Sequence, residues 1–502
     1  MKRIVCSILW FLWGCSCLLA QHRQLSPVVN VKGVFCKDYE EVKKGTPFVL
    51  QRVVKLKKVS TPQTPRTLAV LIVNGIQVGL SMDDIDVLSF QPEDKNSFWQ
   101  SKQLSNGLIS YYERKGYQEE LRREQSQEAN EYLRELEQSQ LFYEDAAIED
   151  YLQCLLLSIA PEQMAVAREV LPQVRVLKSS SPDMFMLSNN TLLVSTGMLA
   201  TLDSEDELYA MLSREVAHYV LDHAIITVNK NVARARRAEF WGAVLDGLAA
   251  ATEEILYERY DYYVPGLVFA ANDVVQALVN ESIINRMGLD YSVRQEEEAD
   301  KVAMQFMELM GKDSRALVSA LAKINAYYAP MEREKLPQYA SLPDRLERMG
   351  EVKPLEEDRI YLKKTSGVVS YEAAQQDYNK DYKESRRIAT KNIENGMACS
   401  DDYLMVARSI MKLSNTPESN EECLTYLEKA DETSKTENLN ICKMKILLLL
   451  RQNKQMDAMD LLHRYQDLLN AMFQQPHSEE DARWISAEHS WADKLLERIC
   501  II

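Results

Sequence analysis

Only 16 glycines and 15 prolines punctuate the 502 residues of this chain. Both residues break regular structure, glycine through backbone entropy and proline through its missing N–H, so their scarcity favours long uninterrupted helices. It also excludes collagen-like and linker-dominated architectures. At 57.7 kDa the chain is too long for one hydrophobic core, and two to four domains are expected. Hydrophobic residues at 46% and charged residues at 27% form an ordinary globular mix that argues against wholesale disorder. The expected class is mainly α with small β parts.

Asp and Glu number 75 against 59 Lys and Arg, a net charge of −16. That is a poor footprint for nucleic acid or anionic lipid, and neither is expected as a partner. Residues 1–20 read as a secretory signal peptide, with Lys2-Arg3 as charged region, Ile4 to Leu12 as apolar region, and Leu18-Leu19-Ala20 as cleavage site. The span is short for a membrane helix and no stop-transfer pattern follows, so the mature chain is expected to have no transmembrane helix. The expected location is the periplasm or the cell envelope. An acylated Cys15 or Cys17 is the second reading, because Trp13 stands where a lipobox wants a small residue.

Cleavage removes two cations and no acids, taking the net charge from −16 to −18. Three of the nine cysteines go with it, leaving Cys36, Cys154, Cys399, Cys423, Cys442 and Cys500. None forms a CxxC, so a cysteine zinc site is not expected. Disulfides are permitted in an exported protein, but the spacing fixes no pairing, and buried free thiols are the equal alternative.

Along the chain, residues 25–105 read as a small β-domain. Lys43 to Pro47 is a turn, and Leu68 to Val73 joins Ile76 to Leu80 through Asn74-Gly75, a type I′ hairpin signal. With a closing strand over Ile85 to Phe90, the pattern is similar to a barrel-like Src-homology-3 domain. Residues 106–144 are dense in Glu, Arg and Gln around Tyr132 and Leu133, and read as a solvated helical linker. From about residue 145 the pattern is helical, interrupted by a hairpin at Phe185 to Ser195 with Ser188-Asn189-Asn190 as its turn. Asp246, Glu253, Glu254, Glu258 and Asp261 exclude a membrane span from the apolar stretch 240–279. Residues 365–500 hold a weak repeat of thirty-five positions. Cys423–Ala430 shifts onto Ala458–Tyr465, and Leu404–Leu413 onto Leu439–Leu448. Helix pairs of that length resemble tetratricopeptide repeats, although the signature Trp and Gly are missing, and stacked pairs offer a groove to another chain.

The chemistry-bearing segment is the helical run from Glu207 to His218. Three motifs follow in order: Asp183-Met184-Phe185 in the hairpin, Glu215-Val216-Ala217-His218 on the helix, and Glu296-Glu297-Glu298-Ala299-Asp300. Together they resemble the gluzincin metallopeptidase family that includes HtpX, BepA and the CAAX prenyl endoproteases, over about residues 145–350. The resemblance implies a zincin-like helical domain. In that family one helix carries HExxH and a later one ExxxD. Two His at i and i+4 lie about 40° apart around a helix, so both reach one zinc ion. The intervening Glu activates a metal-bound water, and a Glu from the second helix completes the ligands. On this resemblance His218 and Glu296 are metal ligands, Glu215 the catalytic base, and Asp300 the partner that orients an imidazole. The strand Thr191, Leu192, Leu193, Val194 and Ser195 is the edge on which a polypeptide substrate pairs.

Two departures stand out. The family's first His is Arg214 here, and a guanidinium has no lone pair for zinc. His223 is the obvious substitute, but it lies about 140° around the helix from His218, so both face one ion only if the helix unwinds. The family's later His-Pro…Arg motif reads Ser341-Leu342-Pro343-Asp344-Arg345, with Leu342 at the His position. One Arg could instead staple Glu215 to Glu296 in place of a metal. The leading expectation is a family member with weakly bound or absent zinc and impaired proteolysis, acting on polypeptide clients as a chaperone-like or scaffolding factor. An active zinc endopeptidase with a non-standard ligand is the second reading. A repeat-domain adaptor is the third.

Overall fold

The computed structural model describes residues 22–24, 30–56, 67–108, 117–162, 171–234, 269, 287–329, 339–351, 355–356, 358–474 and 479–500. Residues 1–20, where a signal peptide is expected, and nearly all of the stretch 240–279 lie outside them. The described chain is mainly helical, with a small sheet at the N-terminal end and a three-stranded sheet in the middle.

The N-terminal sheet is antiparallel, ordered β5-β4-β3-β2-β6, with β1 also on β3. Its strands are β1 (His22–Gln24), β2 (Val31–Phe35), β3 (Pro47–Leu56), β4 (Thr67–Val73), β5 (Ile76–Ser81) and β6 (Leu88–Phe90). Asn74 and Gly75 both take positive φ, 50° and 78°, as a type I′ hairpin requires. Gly33 is obligatory, since a Cβ there would lie 2.4 Å from Ser89 O and against the Phe48 ring. The expected closing strand is shorter than the sequence suggested: Met82–Val87 is a 3₁₀ turn and only Leu88–Phe90 is extended. The barrel does not close. β6 spends its three residues pairing with β2, and β5 and β6 remain the two ends of the strand order.

Helix α1 (Lys95–Ser105) leads from this sheet into the middle domain, where Trp99 donates to Ile159 O at 2.8 Å and packs on Phe306. The charged run that followed reads differently in three dimensions. Helix α2 (Tyr117–Gln138) is amphipathic, not solvated all round: Leu121, Arg122, Ala129, Tyr132 and Leu136 are buried. Tyr132 and Leu136 pack on Phe185, Leu187 and Leu193 of the hairpin. Surface charges between the buried positions hid a stripe of spacing three to four.

The middle domain adds α3 (Ala146–Ile159), β7 (Gln173–Leu177), β8 (Met184–Met186), β9 (Thr191–Ser195), α4 (Thr196–Thr201) and α5 (Glu205–Val220). Then come α6 (His223–Arg234), α7 (Val293–Leu309), α8 (Arg315–Tyr328) and α9 (Leu342–Met349). Strand order is β7-β9-β8, parallel then antiparallel. This corrects one expectation: Thr191–Ser195 is the central strand, hydrogen-bonded on both sides, and the edge beside α5 is β8. Helix α5 is buried along its whole length from Glu207, as befits the centre of a helical core.

The C-terminal helices are α10 (Arg359–Tyr378), α11 (Tyr382–Glu394), α12 (Ser400–Leu413), α13 (Pro417–Thr433), α14 (Leu439–Arg451), α15 (Gln455–Phe473) and α16 (Glu479–Cys500). The thirty-five-position shift carries α12 onto α14 and α13 onto α15, so the sequence similarity follows the helix pairs. Cys423 and Cys442, on neighbouring helices, are buried free thiols bonded to the carbonyls of Ala407 and Leu461.

α10 docks on the middle domain through a buried carboxyl. Glu372 accepts from Thr196 Oγ1 and Gln376 Nε2, both at 3.0 Å. Burial pushes it up to about 7, against those hydrogen bonds. The folded protein therefore holds a proton here that the unfolded chain, with an ordinary carboxyl near 4.5, gives up first. Stability from this group is complete below about pH 4.5 and is lost as pH rises through about 7. Glu372→Gln should flatten that decline by about 1–3 kcal/mol, read as the pH dependence of thermal unfolding for both proteins. A variant with the wild-type slope would show that Glu372 is ionised throughout.

Candidate functional site

α5 is launched by Ser204, whose hydroxyl accepts from Glu207 N–H, with Glu205, Asp206 and Glu207 favourably placed at its positive end. It brings Arg214, Glu215 and His218 to the face of α7. There Ser292 and Gln295 cap the helix, and Glu296 and Asp300 lie one turn apart on the same side. All five side chains are buried. The sequence-predicted constellation is thus brought together, apart from the strand Thr191–Ser195.

Arg214 sits at its centre. Its Nη1 donates to Glu215 Oε1 at 2.7 Å, its Nε to Asp300 Oδ1 at 3.1 Å, and its Nη2 to Glu296 Oε2. A second guanidinium closes the cluster. Arg345, from α9, donates to Asp300 Oδ2 at 2.9 Å, to Glu296 Oε2, and to Ala340 O at 3.1 Å. Arg345 was legible only as the last residue of the Ser341–Arg345 motif, and nothing in its spacing revealed the contact. Leu342, at the departed His position, is buried in the apolar core.

Two guanidinium charges are matched by Glu296 and Asp300, which leaves Glu215 as the third acid. Burial pushes Glu215 up to about 7, opposed by Arg214 and reinforced by Glu296. Burial also raises Glu296, against the pull of Arg214 and Arg345. Arg214 is held firmly protonated: burial disfavours its charge, but Glu296, Glu215 and Asp300 more than restore it.

His218 is neutral, driven down by burial and then by Arg214. It stacks on Tyr291, ring centroids 3.9 Å apart, and its Nδ1 lies 3.1 Å from His223 Nδ1. That approach corrects the helical-wheel objection, because α5 ends at Val220 and Asp222 turns the chain at φ 60°. The turn is clamped from outside: Arg122 of α2 grips Asp222 through Nε at 3.1 and 3.2 Å. Gly288 lets the Met287–Tyr291 segment approach, since a Cβ there would lie 2.4 Å from Ala224 O.

The model of Peptidase family M48 matches residues 146–360. This domain belongs to peptidase family M48. A search of curated proteins found no match.

M48 domains generally bind zinc, which takes three protein donors at about 2.0–2.2 Å. Two donors are in place here. His218 Nε2 and Glu296 Oε1 are 3.6 Å apart, both buried and both without a hydrogen-bond partner. That is close to the ~3.3 Å between two donors of a tetrahedral zinc. The third position holds the Arg214 fork, which ties up Glu296 Oε2. His223 does not replace it, because it faces Nδ1 of His218 while Glu296 faces Nε2, on the other side of the ring. Among the described residues no group of three His, Cys, Asp or Glu side chains is arranged to hold a metal. The donor set does not fit zinc.

Proposed function

We propose that this chain is an exported M48-domain protein in which zinc-dependent proteolysis is lost and the fold serves as a scaffold for polypeptide clients in the cell envelope. The observation that carries this reading is the Arg214 guanidinium, bonded to the base-position Glu215, the ligand-position Glu296 and the orienting-position Asp300. A fixed cation there does electrostatically what a dication would, but offers no Lewis acid and no bound water. Leu342 adds to it, since an aliphatic side chain can neither donate to nor polarise a substrate.

Client contact then falls to the C-terminal helix pairs, whose stacking leaves surfaces suited to another chain. The envelope location rests on the leader-like residues 1–20, and no described helix is long and apolar enough to cross a membrane. A working zinc endopeptidase with an unusual ligand is the second reading, favoured by the approach of His223 to His218.

Metal content separates the two. The purified mature protein should hold far less than one zinc per chain by elemental analysis. Neither chelator nor added zinc should move its melting temperature, because metal contributes nothing to its folding. Stoichiometric zinc that survives dialysis would sink the scaffold reading in favour of the second. Deleting residues 400–500, which spares α10 and α11 against the middle domain, should abolish client capture while leaving the M48 domain folded.

A further inference from the structure

Away from the charge cluster, a cavity of about 1040 Å³ lies where α10 and α11 meet the start of α5 and the face of α8. Junctions between domains are where ligand sites preferentially form, and this volume is ample for a small molecule. α11 gives the cavity a whole face. Asp381, Glu384, Arg387, Lys391 and Glu394 recur at spacings of three and four, and all of them line it.

The two lysines in the lining have nothing left to give a ligand, since an ammonium has three N–H donors. Lys323 directs its three to Glu207 Oε1 at 2.6 Å, Glu207 Oε2 at 2.8 Å and Asp203 Oδ2 at 2.5 Å. Lys391 directs its three to Ala200 O at 2.6 Å, Leu202 O at 2.7 Å and Asp203 Oδ1 at 2.7 Å. Arg387 spends Nε and Nη2 on the two oxygens of Glu384.

The acceptors are not so committed. Glu356, Asp381 and Glu394 line the same cavity, and no cation pairs with them among the described residues. Gln376 points the same way from the wall. Only 6% exposed, it donates from Nε2 to Glu372 Oε1 at 3.0 Å, while its own Oε1 accepts from no described residue. A nearly buried amide oxygen without a donor calls for a ligand that brings one. Leu355, Leu362 and Tyr327 add apolar surface to the lining. Asp381 and Glu394 stand at opposite ends of α11, about 20 Å apart along its axis.

We propose that this cavity binds a linear polycation whose ammonium groups sit on methylene chains. The ammoniums meet Glu356, Asp381 and Glu394, one N–H goes to Gln376 Oε1, and the methylenes lie along Leu355, Leu362 and Tyr327. An extended ligand reaches both ends of α11, which a single metal ion or a lone amine does not. A free polyamine and the lysine side chains of an extended polypeptide carry the same chemistry. Either is additional to client capture by the helix pairs beyond residue 400, and no substitute for it. The site is independent of metal at His218 and Glu296, because none of its residues belongs to the charge cluster.

Calorimetric titration of the full mature chain with spermine and, separately, with acetyl-(Lys-Ala)3-amide tests it. At least one of the two should bind saturably, at one per chain. Tighter spermine binding identifies a free polyamine as the occupant, and tighter peptide binding a lysine-bearing chain. The combined variant Glu356→Gln, Asp381→Asn and Glu394→Gln should weaken that binding by about tenfold, as three exposed charge contacts would. Asn at 381 keeps the α11 cap, so the fold is preserved. Glu421→Gln, Glu428→Gln and Glu432→Gln on α13 together remove the same charge elsewhere and should leave binding unchanged. No saturable binding of either probe overturns the proposal. So does equal weakening by the two combined variants, which would mean diffuse attraction to an acidic chain.

Discussion

Arg214→Ala is expected to destabilise the M48 domain by about 3–5 kcal/mol, the usual cost of removing one partner from a buried charge cluster. For a domain of this size that is a fall of roughly 10 °C in the unfolding midpoint. The cost arises because Glu215, Glu296 and Asp300 stay buried with one guanidinium among them instead of two. Burial already disfavours the charged forms of Glu215 and Glu296, and losing Arg214 removes the nearest cation from both. Arg214→Lys should recover only part of the loss, since a point charge cannot reproduce three directed bonds. Differential scanning calorimetry of the three proteins reads the series. A silent Arg214→Ala would mean that the cluster carries no net stability and that Arg214 is a passenger.

Arg214→His is expected to take zinc from trace to near one per chain. The change puts an imidazole four residues before His218 on α5, beside an Asp300 oxygen that now receives Arg214 Nε at 3.1 Å. Glu296 would keep Arg345 on Oε2, leaving Oε1 to the metal together with His218 Nε2. These two orphaned atoms already stand at a separation compatible with one ion. Elemental analysis and a zinc-dependent rise in melting temperature are the readouts. Peptidase activity should not return, because Leu342 still stands at the position of the family's later His. A variant that stays zinc-free would show that the two donors cannot converge, and that only the fold is inherited.

Much of the site was legible because it rests on short-range rules. The i,i+4 spacing of Arg214 and His218, the spacing of Glu296 and Asp300, and the Asn74-Gly75 turn are local, and each falls where the pattern puts it. What was not legible depends on tertiary meeting points. Arg345 comes from α9 and reaches the cluster only after three helices have docked. His223 was set aside on the assumption of a continuous helix, yet a single αL residue at Asp222 undoes that geometry. The strand Thr191–Ser195 was taken for an edge because a hairpin shows only one of its neighbours. β7, which pairs with it in parallel, arrives from a separate segment that no turn signal links to it. Helix α2 was read by its charges, and its buried stripe became apparent only against the hairpin it covers.

The cluster also joins residues far apart in sequence, Arg214 on α5, Glu296 and Asp300 on α7, Arg345 on α9. Its bonds exist only when all three helices are in place, and they are too directional to form in a loosely packed barrier state. Interactions of that kind act on the rate of unfolding more than on the rate of folding. The charge cluster would then set the lifetime of the native state, the quantity that governs persistence wherever unfolding is irreversible.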